Sequence, residues 1–404
     1  MNTSVKGPLA GLMVVEIGGS VAAPFAGQIL ADLGAELVKV ERPEGDDARR
    51  WGPPFADGSG AGFHSMNRGK RSVVVELRDT AQRERLIRFI DDRADVVLQN
   101  LRPGQVDELG LGATALRSRK PSLIYCNLGA FGKRGPLSDR PGYDPLMQAF
   151  GGIMSVVGEP DRPPVRVGPS IVDMGTGMWS VIGILSALSK RRETGEGAVV
   201  DTSLFETSVS WMMYFVPSFI LSGELVKPQG SGASGIAPYG AFPTADGWLV
   251  IGAGNDGLFA RLCNTLERPA WITDSRFTTN ALRVANRSTL NEMIGELTAT
   301  RASALWVQKL EVGGVPCAPV QNVAQMVDHE QTQALGMIRE VAGHVNLRQV
   351  MLPVSIDDAR PLPREGAPRL GEHTEQVLGP YGQGPQSASG SQHPAVKAQS
   401  VNLP

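Results

Sequence analysis

Three cysteines in 404 residues, Cys126, Cys263 and Cys317, are too few and too scattered for a disulfide framework, and none forms a CxxC pair. Their scarcity fits a reducing compartment and predicts a cytoplasmic protein without a zinc site. The five histidines, His64, His329, His344, His373 and His393, are too dispersed to suggest a metal cluster. The chain has no GxSxG elbow, no P-loop and no HExxH, which sets aside the chemistries those motifs carry. It also lacks an excess of one charge: 39 Lys and Arg stand against 41 Asp and Glu, for a net charge of -2, which argues against a nucleic-acid partner. No uninterrupted apolar run approaches the roughly 20 residues of a membrane span. The start, MNTSVKGPLAGLMVVEIGG, reads as a first strand rather than a signal-peptide core.

What is present is ordinary globular material, 42% hydrophobic and 20% charged, at a length that suits about two domains. The run LMVVEI, GGSVAAP, FAGQILADLG, AELVKVERP reads as strand, loop, helix, strand, with Pro24 in the first helical turn and Gly34 at the helix end. The pattern recurs in RSVVVEL, AQRERLIRFIDDR and ADVVLQN, and again in the strand SLIYCNLG. Such alternation predicts an α/β fold with a parallel sheet covered by helices. MWSVIGILSALSKRR reads as a buried helix, and AVVDTSLFET as a strand entering another helix. The texture turns Gly- and Pro-rich near residue 225, where we expect a domain boundary. ALRVANRSTLNEMIGELTATR and ASALWVQKLEVGG then read as helices, and REVAGHVNLRQVMLPVSI as strands. The last residues, 382–404, lack periodicity and read as a disordered tail.

Glu41 ends the second strand where a dinucleotide fold would hold a ribose, but the adjacent Arg42 suits a phosphate equally well. Further basic residues stand near strand ends: Lys70 and Arg71 in NRGKRS, Arg102 in NLRPG, and Lys133, Arg134 and Arg140 in FGKRGPLSDRPGYD. His373, in LGEHT, suits a helix start. In GPSIVDMGTGMW, Asp173 precedes the long apolar helix. It could cap that helix, or it could attack an acyl carbonyl, since a carboxylate with a reference pKa of about 3.9 is ionised at neutral pH. The glycines beside it would leave room for an acyl group.

PLAGLMVVEIGG, APFAGQILADLGAELVKVERPEGDDAR, NRGKRSVVVEL, ADVVLQNLRPG, GYDPLMQAFGG, SIVDMGTGMW with RRETGEG, and LGEHTEQVL follow one another in an order and spacing that resembles the class III coenzyme A transferases, the group of formyl-CoA and carnitine CoA-transferases. The resemblance runs from Pro8 to Leu378. It implies a nucleophilic Asp173 that forms an aspartyl anhydride and then an aspartyl-CoA thioester, with CoA and acyl-CoA as substrates and no tightly bound cofactor or metal. It also implies that Arg42, Lys70, Arg71 and Asn100 meet the nucleotide part of CoA. The loop at Val21 and Ala22 would pass over the thioester, with Tyr143 and Asp144 beside it. The implied architecture is a Rossmann-like large domain, residues 1–200 and 330–380, and a smaller α+β domain, residues 225–325, in an interlocked homodimer. The implied partners are an acyl-CoA and a small carboxylic acid.

Three positions depart from that pattern. Val21 stands where formyl-transferring members carry glutamine, GSGASGIAPYG replaces their glycine-rich flap, and Glu108 precedes LGLG where a basic residue is frequent. The 2-methylacyl-CoA racemases share the fold but use a GHD motif where this chain has GYD, and a nucleotide-binding module without turnover is a further alternative. Arg166, in PPVRVGPS, suits the second carboxylate of a dicarboxylic substrate such as succinate.

Overall fold

The computed structural model describes residues 7–341, 347–363 and 365–382. The expected tail, apart from Gly382, lies outside them. Six strands form one parallel sheet: β1 (Met13–Ile17), β2 (Glu36–Glu41), β3 (Lys70–Val74), β4 (Val96–Gln99), β5 (Ile124–Gly129) and β6 (Val199–Ser203). Their order is β3-β2-β1-β4-β5-β6. The central strands MVVEI and VVLQ are buried at every residue, as expected of parallel strands covered on both faces.

Alternate residues of β1 serve opposite faces. Met13, Val15 and Ile17 pack with Val38, Leu86 and Ile90 on one side, where helix Thr80–Arg93 lies, and Val377 and Leu378 join them from the far end of the chain. Val14 packs with Leu30, Leu37 and Leu98 on the other. That second face is covered by α1 (Ala22–Asp32), α2 (Asp144–Phe150), α3 (Ile171–Thr194) and α4 (Leu204–Trp211), which contribute Ala26, Met147, Ile184 and Leu204. Each buried Leu, Ile, Val or Met side chain among them contributes about 1.5–3 kcal/mol. The strand ends are therefore a firm platform for the loops that leave them.

α3, and α4 taken together with α5 (Phe215–Ser222) across their 64° bend, are long and apolar enough by length and composition to cross a membrane. The face of α3 that carries Val172, Gly175, Gly177, Val181 and Ile184 is nevertheless buried within the fold, as in a core helix.

A separate hydrophobic cluster, including Phe242, Leu249, Ile251, Phe259, Ile294 and Leu310, is built within residues 239–319. Its antiparallel sheet comprises β7 (Tyr239–Thr244), β8 (Gly247–Gly252) and β9 (Cys317–Pro319), in the order β9-β8-β7. The helical run expected from residue 281 is broken at Asn286 into Asn280–Ala285 and Arg287–Thr298. Beyond it, β10 (Ile338–Glu340) and β11 (Arg348–Val350) pair antiparallel, matching the strand-like return expected after residue 335.

Candidate active site

In an open α/β sheet the ligand crevice lies outside the carboxyl ends of the strands, where the strand order reverses. Here that point falls between β1 and β4. A cavity of about 840 Å³ opens there, lined by residues at the carboxyl ends of all six strands: Gly18, Arg42, Val75, Asn100, Ala130 and Leu204. Val21, Ala22, Tyr143, Asp144, Arg166 and Asp173 share its wall.

The loop from Gly18 to Val21 is fixed from beneath. Asn100 brackets it: its Oδ1 accepts from Gly19 N (3.1 Å) and its Nδ2 donates to Gly19 O (2.9 Å). A Cβ at Gly18 would stand 2.0 Å from Asn100 Oδ1, so this approach needs glycine. Asp46 Oδ1 accepts from Ser20 N (3.1 Å), at a residue held at φ 68°. Lys39 Nζ ties both pieces together, donating to Gly18 O (3.0 Å) and pairing with Asp46 (2.9 Å) and Glu16 (2.9 Å). Burial opposes the charge on Lys39, yet Glu16, Asp46 and Glu41 hold its ammonium above the ordinary lysine value.

Asp173 sits in the first turn of α3, whose free amides need acceptors. It does not supply them. Asp144, the first residue of α2, does: its Oδ2 accepts from Val172 N (2.8 Å) and Asp173 N (3.2 Å). The Asp173 carboxylate makes no hydrogen bond with the described residues and borders the cavity. Burial, with the charge of Asp144 adding to it, pushes its pKa up to about 7. The sequence reading of a carboxylate fully ionised at neutral pH is corrected accordingly. A group half ionised at pH 7 is the stronger nucleophile once ionised, because reactivity follows basicity.

The glycines beside Asp173 also have another use than the one expected. A Cβ at Gly175 would meet Trp211 and Thr207 at 2.8 and 2.9 Å, and one at Gly177 would meet Ala22 O at 2.9 Å. They let α3 close against α4 and α1 rather than admit an acyl group. Tyr143 is 64% exposed at the cavity rim.

Two of the expected nucleotide contacts are not brought to this cavity. Lys70 and Arg71 stand at the amino end of β3, across the sheet from the crevice. Lys70 is a core residue: its Nζ donates to Glu16 (2.6 Å), Pro24 O (2.8 Å) and Asn67 Oδ1 (3.1 Å). Arg71 pairs with Glu36 at the start of β2. Glu41 is not a ribose ligand either, because Arg49 (2.6 and 2.8 Å), Ser72 Oγ (2.7 Å) and Asp46 N (3.0 Å) occupy its oxygens. Burial works against its charge, but Arg49 and Lys39 hold it below the usual carboxylate range.

Arg42 does border the cavity, where it pairs with Asp47 (2.5 Å). Arg102 and Arg78 border it too and make no ion pair among the described residues. Arg78 escaped the sequence reading, although it follows RSVVVEL and so lies at the carboxyl end of β3. Lys133, Arg134 and Arg140 do not line the cavity. His373 starts the short helix Thr374–Leu378, its amide donating to Ser72 O (2.9 Å).

The sequence model of CoA-transferase family III matches residues 9–374. The succinate–glutarate CoA-transferase of Agrobacterium fabrum is 37% identical over 92% of this chain and 95% of its own length. The succinyl-CoA:mesaconate CoA-transferase of Haloarcula hispanica is 36% identical over 94% of this chain and 97% of its own. The crystal structure of a CAIB/BAIF family protein from Brucella suis matches with a TM-score of 0.85 at 38% identity, over 93% of this chain and 100% of that one.

Proposed function

The chain belongs to CoA-transferase family III, and on that premise we propose that Asp173 moves coenzyme A from an acyl-CoA to a carboxylic acid by covalent catalysis. The observation that carries this reading is a carboxylate that has no hydrogen-bond donor among the described residues, its pKa raised to about 7, at the wall of a cavity formed by six strand ends. An Asp173 oxygen attacks the thioester carbonyl; a C–O bond forms, the C–S bond breaks, and CoA departs as thiolate from an acyl-aspartyl anhydride. The thiolate attacks the aspartyl carbonyl and the donor acid leaves as carboxylate. The acceptor carboxylate attacks the resulting aspartyl-CoA thioester, and the thiolate then attacks the acceptor's own carbonyl, freeing Asp173. No proton is consumed and no thioester is hydrolysed. Coenzyme A is thus substrate throughout, with no tightly bound cofactor in the scheme.

Basic groups at the cavity suit the CoA phosphates: Arg42, which is partly neutralised by Asp47, and Arg78 and Arg102. Dicarboxylates are the acids we favour. Two relatives are succinate–glutarate and succinyl-CoA:mesaconate CoA-transferases, and Arg166 offers a guanidinium at the same cavity. No described lining residue is a histidine, which leaves the racemase alternative without its base.

A homodimer is part of the proposal. α5 has no buried residue, and around it Tyr214, Ile220, Leu221 and Leu225 are each more than 70% exposed, an apolar surface of the sort that marks an interface. The division of the chain at residues 225–325 is also our reading, supported by the separate cluster within 239–319. The cytoplasm is our choice of compartment, supported by three free thiols.

The test is to incubate the protein with a panel of acyl-CoAs, quench rapidly and map adducts by mass spectrometry, with Asp173→Ala alongside. An acyl or CoA adduct on Asp173 of the wild type is expected. Turnover without any adduct on Asp173, under conditions that trap one in a known member of the family, would sink the mechanism.

A further inference from the structure

A helix that begins with an acid three residues past its N-cap would ordinarily turn that acid back onto its own free amides. In α3 this does not happen, although the N-cap residue Ser170 makes no side-chain cap. Asp144 reaches in from α2 and occupies the amides of Val172 and Asp173. It is itself locked in place. Gln148, one turn further along α2, donates Nε2 to Asp144 Oδ1 (2.6 Å) and accepts from Val167 N through Oε1 (2.8 Å). Asp144 is 2% exposed and Gln148 fully buried.

Resting on the reading of Asp173 as nucleophile, we infer that Asp144 is a positioning residue: it occupies the amino end of α3 so that the Asp173 carboxylate stays without a hydrogen-bond donor and free to attack. A carboxylate held by two amide donors is stabilised in its ground state and is a weaker nucleophile. The substitution of one acid for another at the helix end therefore separates two jobs, capping and chemistry, that a lone aspartate would have to combine. Among the groups packed at this end of α3, Asp144 is the charged one on α2 and Arg166 the charged one on the preceding loop. α1 and α4 contribute Ala22, Phe25, Thr207 and Trp211, none of them charged.

The test compares Asp144→Ala and Asp144→Asn with wild type in steady-state transfer across pH 5 to 9, with adduct mapping and circular dichroism as controls. Alanine frees both amides, so Asp173 turns onto them. The expected result is that kcat falls at least 100-fold, that KM for acyl-CoA stays within threefold of wild type, and that the acid limb moves to lower pH. Asparagine keeps an acceptor oxygen for the amides and loses the charge, so it should turn over at least tenfold faster than the alanine variant while its acid limb also moves down. Folded variants whose kcat stays within twofold of wild type, or a slowed variant with the acid limb unmoved, would overturn the inference. If alanine fails to fold, an asparagine variant with an unmoved acid limb does the same. The adduct in wild type separates the two levels: without it the nucleophile reading falls, and with it only the role of Asp144 is at stake.

Discussion

Replacing Asp173 by asparagine should stabilise the protein, and the gain should depend on pH. In the fold this carboxyl titrates near 7 instead of 3.8, because burial and the neighbouring Asp144 both disfavour its charge. A group whose folded pKa is raised favours the native state fully below its unfolded value and loses that contribution as pH rises through the folded one. Wild type at pH 8 therefore carries an ionised group that costs about 4 kcal/mol relative to its protonated form. Asparagine cannot ionise. Its advantage over wild type should widen by about 2.5 kcal/mol between pH 5 and pH 8, most of it below pH 7. Urea denaturation followed by tryptophan fluorescence at four pH values reads this difference directly. A gap that stays constant within about 0.5 kcal/mol across that range would mean that Asp173 ionises at no cost, and the account of its environment would be refuted. The same variant should form no adduct, so stability and function would move in opposite directions at one residue.

Two further substitutions test other parts of the structure. Lys70→Met should destabilise by about 3–5 kcal/mol, because Glu16 loses one of its two buried ammonium partners, while KM for acyl-CoA stays within about twofold in the folded fraction, a change of under about 0.5 kcal/mol. A KM raised tenfold or more would return Lys70 to the nucleotide site. Arg166→Ala should reduce kcat/KM for dicarboxylic acceptors by about 10- to 100-fold, the loss of one charge-assisted contact, and leave monocarboxylic acceptors little changed. Equal effects on both classes of acid would remove Arg166 from acceptor recognition.

The sheet was legible because its strands are short β-branched runs separated by helix signals, even though one face of β1 carries the buried Glu16. Asp173 stood out as a candidate through the order of the surrounding motifs, and it borders the cavity. What the sequence did not disclose was which partner each charge would find. Lys70 and Arg71 open β3, whereas Arg78 follows it; the strand carries the chain from the amino end of the sheet to its carboxyl end, and only the later end borders the cavity. Glu41 looked available for a ribose because Arg49 and Ser72, which occupy it, come from elsewhere in the chain. The cap of α3 was hidden for the same reason, since Asp144 lies 29 residues before Asp173. Gly175 and Gly177 read as open space, but helix packing fills that space.

The loop from Gly18 to Val21 is tethered by Asn100, Asp46 and Lys39 at successive residues. Under the proposed mechanism that tether bears on how an anhydride is partitioned between thiolate and water. A loop that must swing open to admit substrate exposes a reactive intermediate each time it moves. A wall already fixed by buried ions stays in place while the two half-reactions proceed, and the departing thiolate remains the nearest nucleophile. Loosening the tether would then show itself first as leakage, a rising fraction of acyl-CoA lost as free acid, before transfer itself slowed.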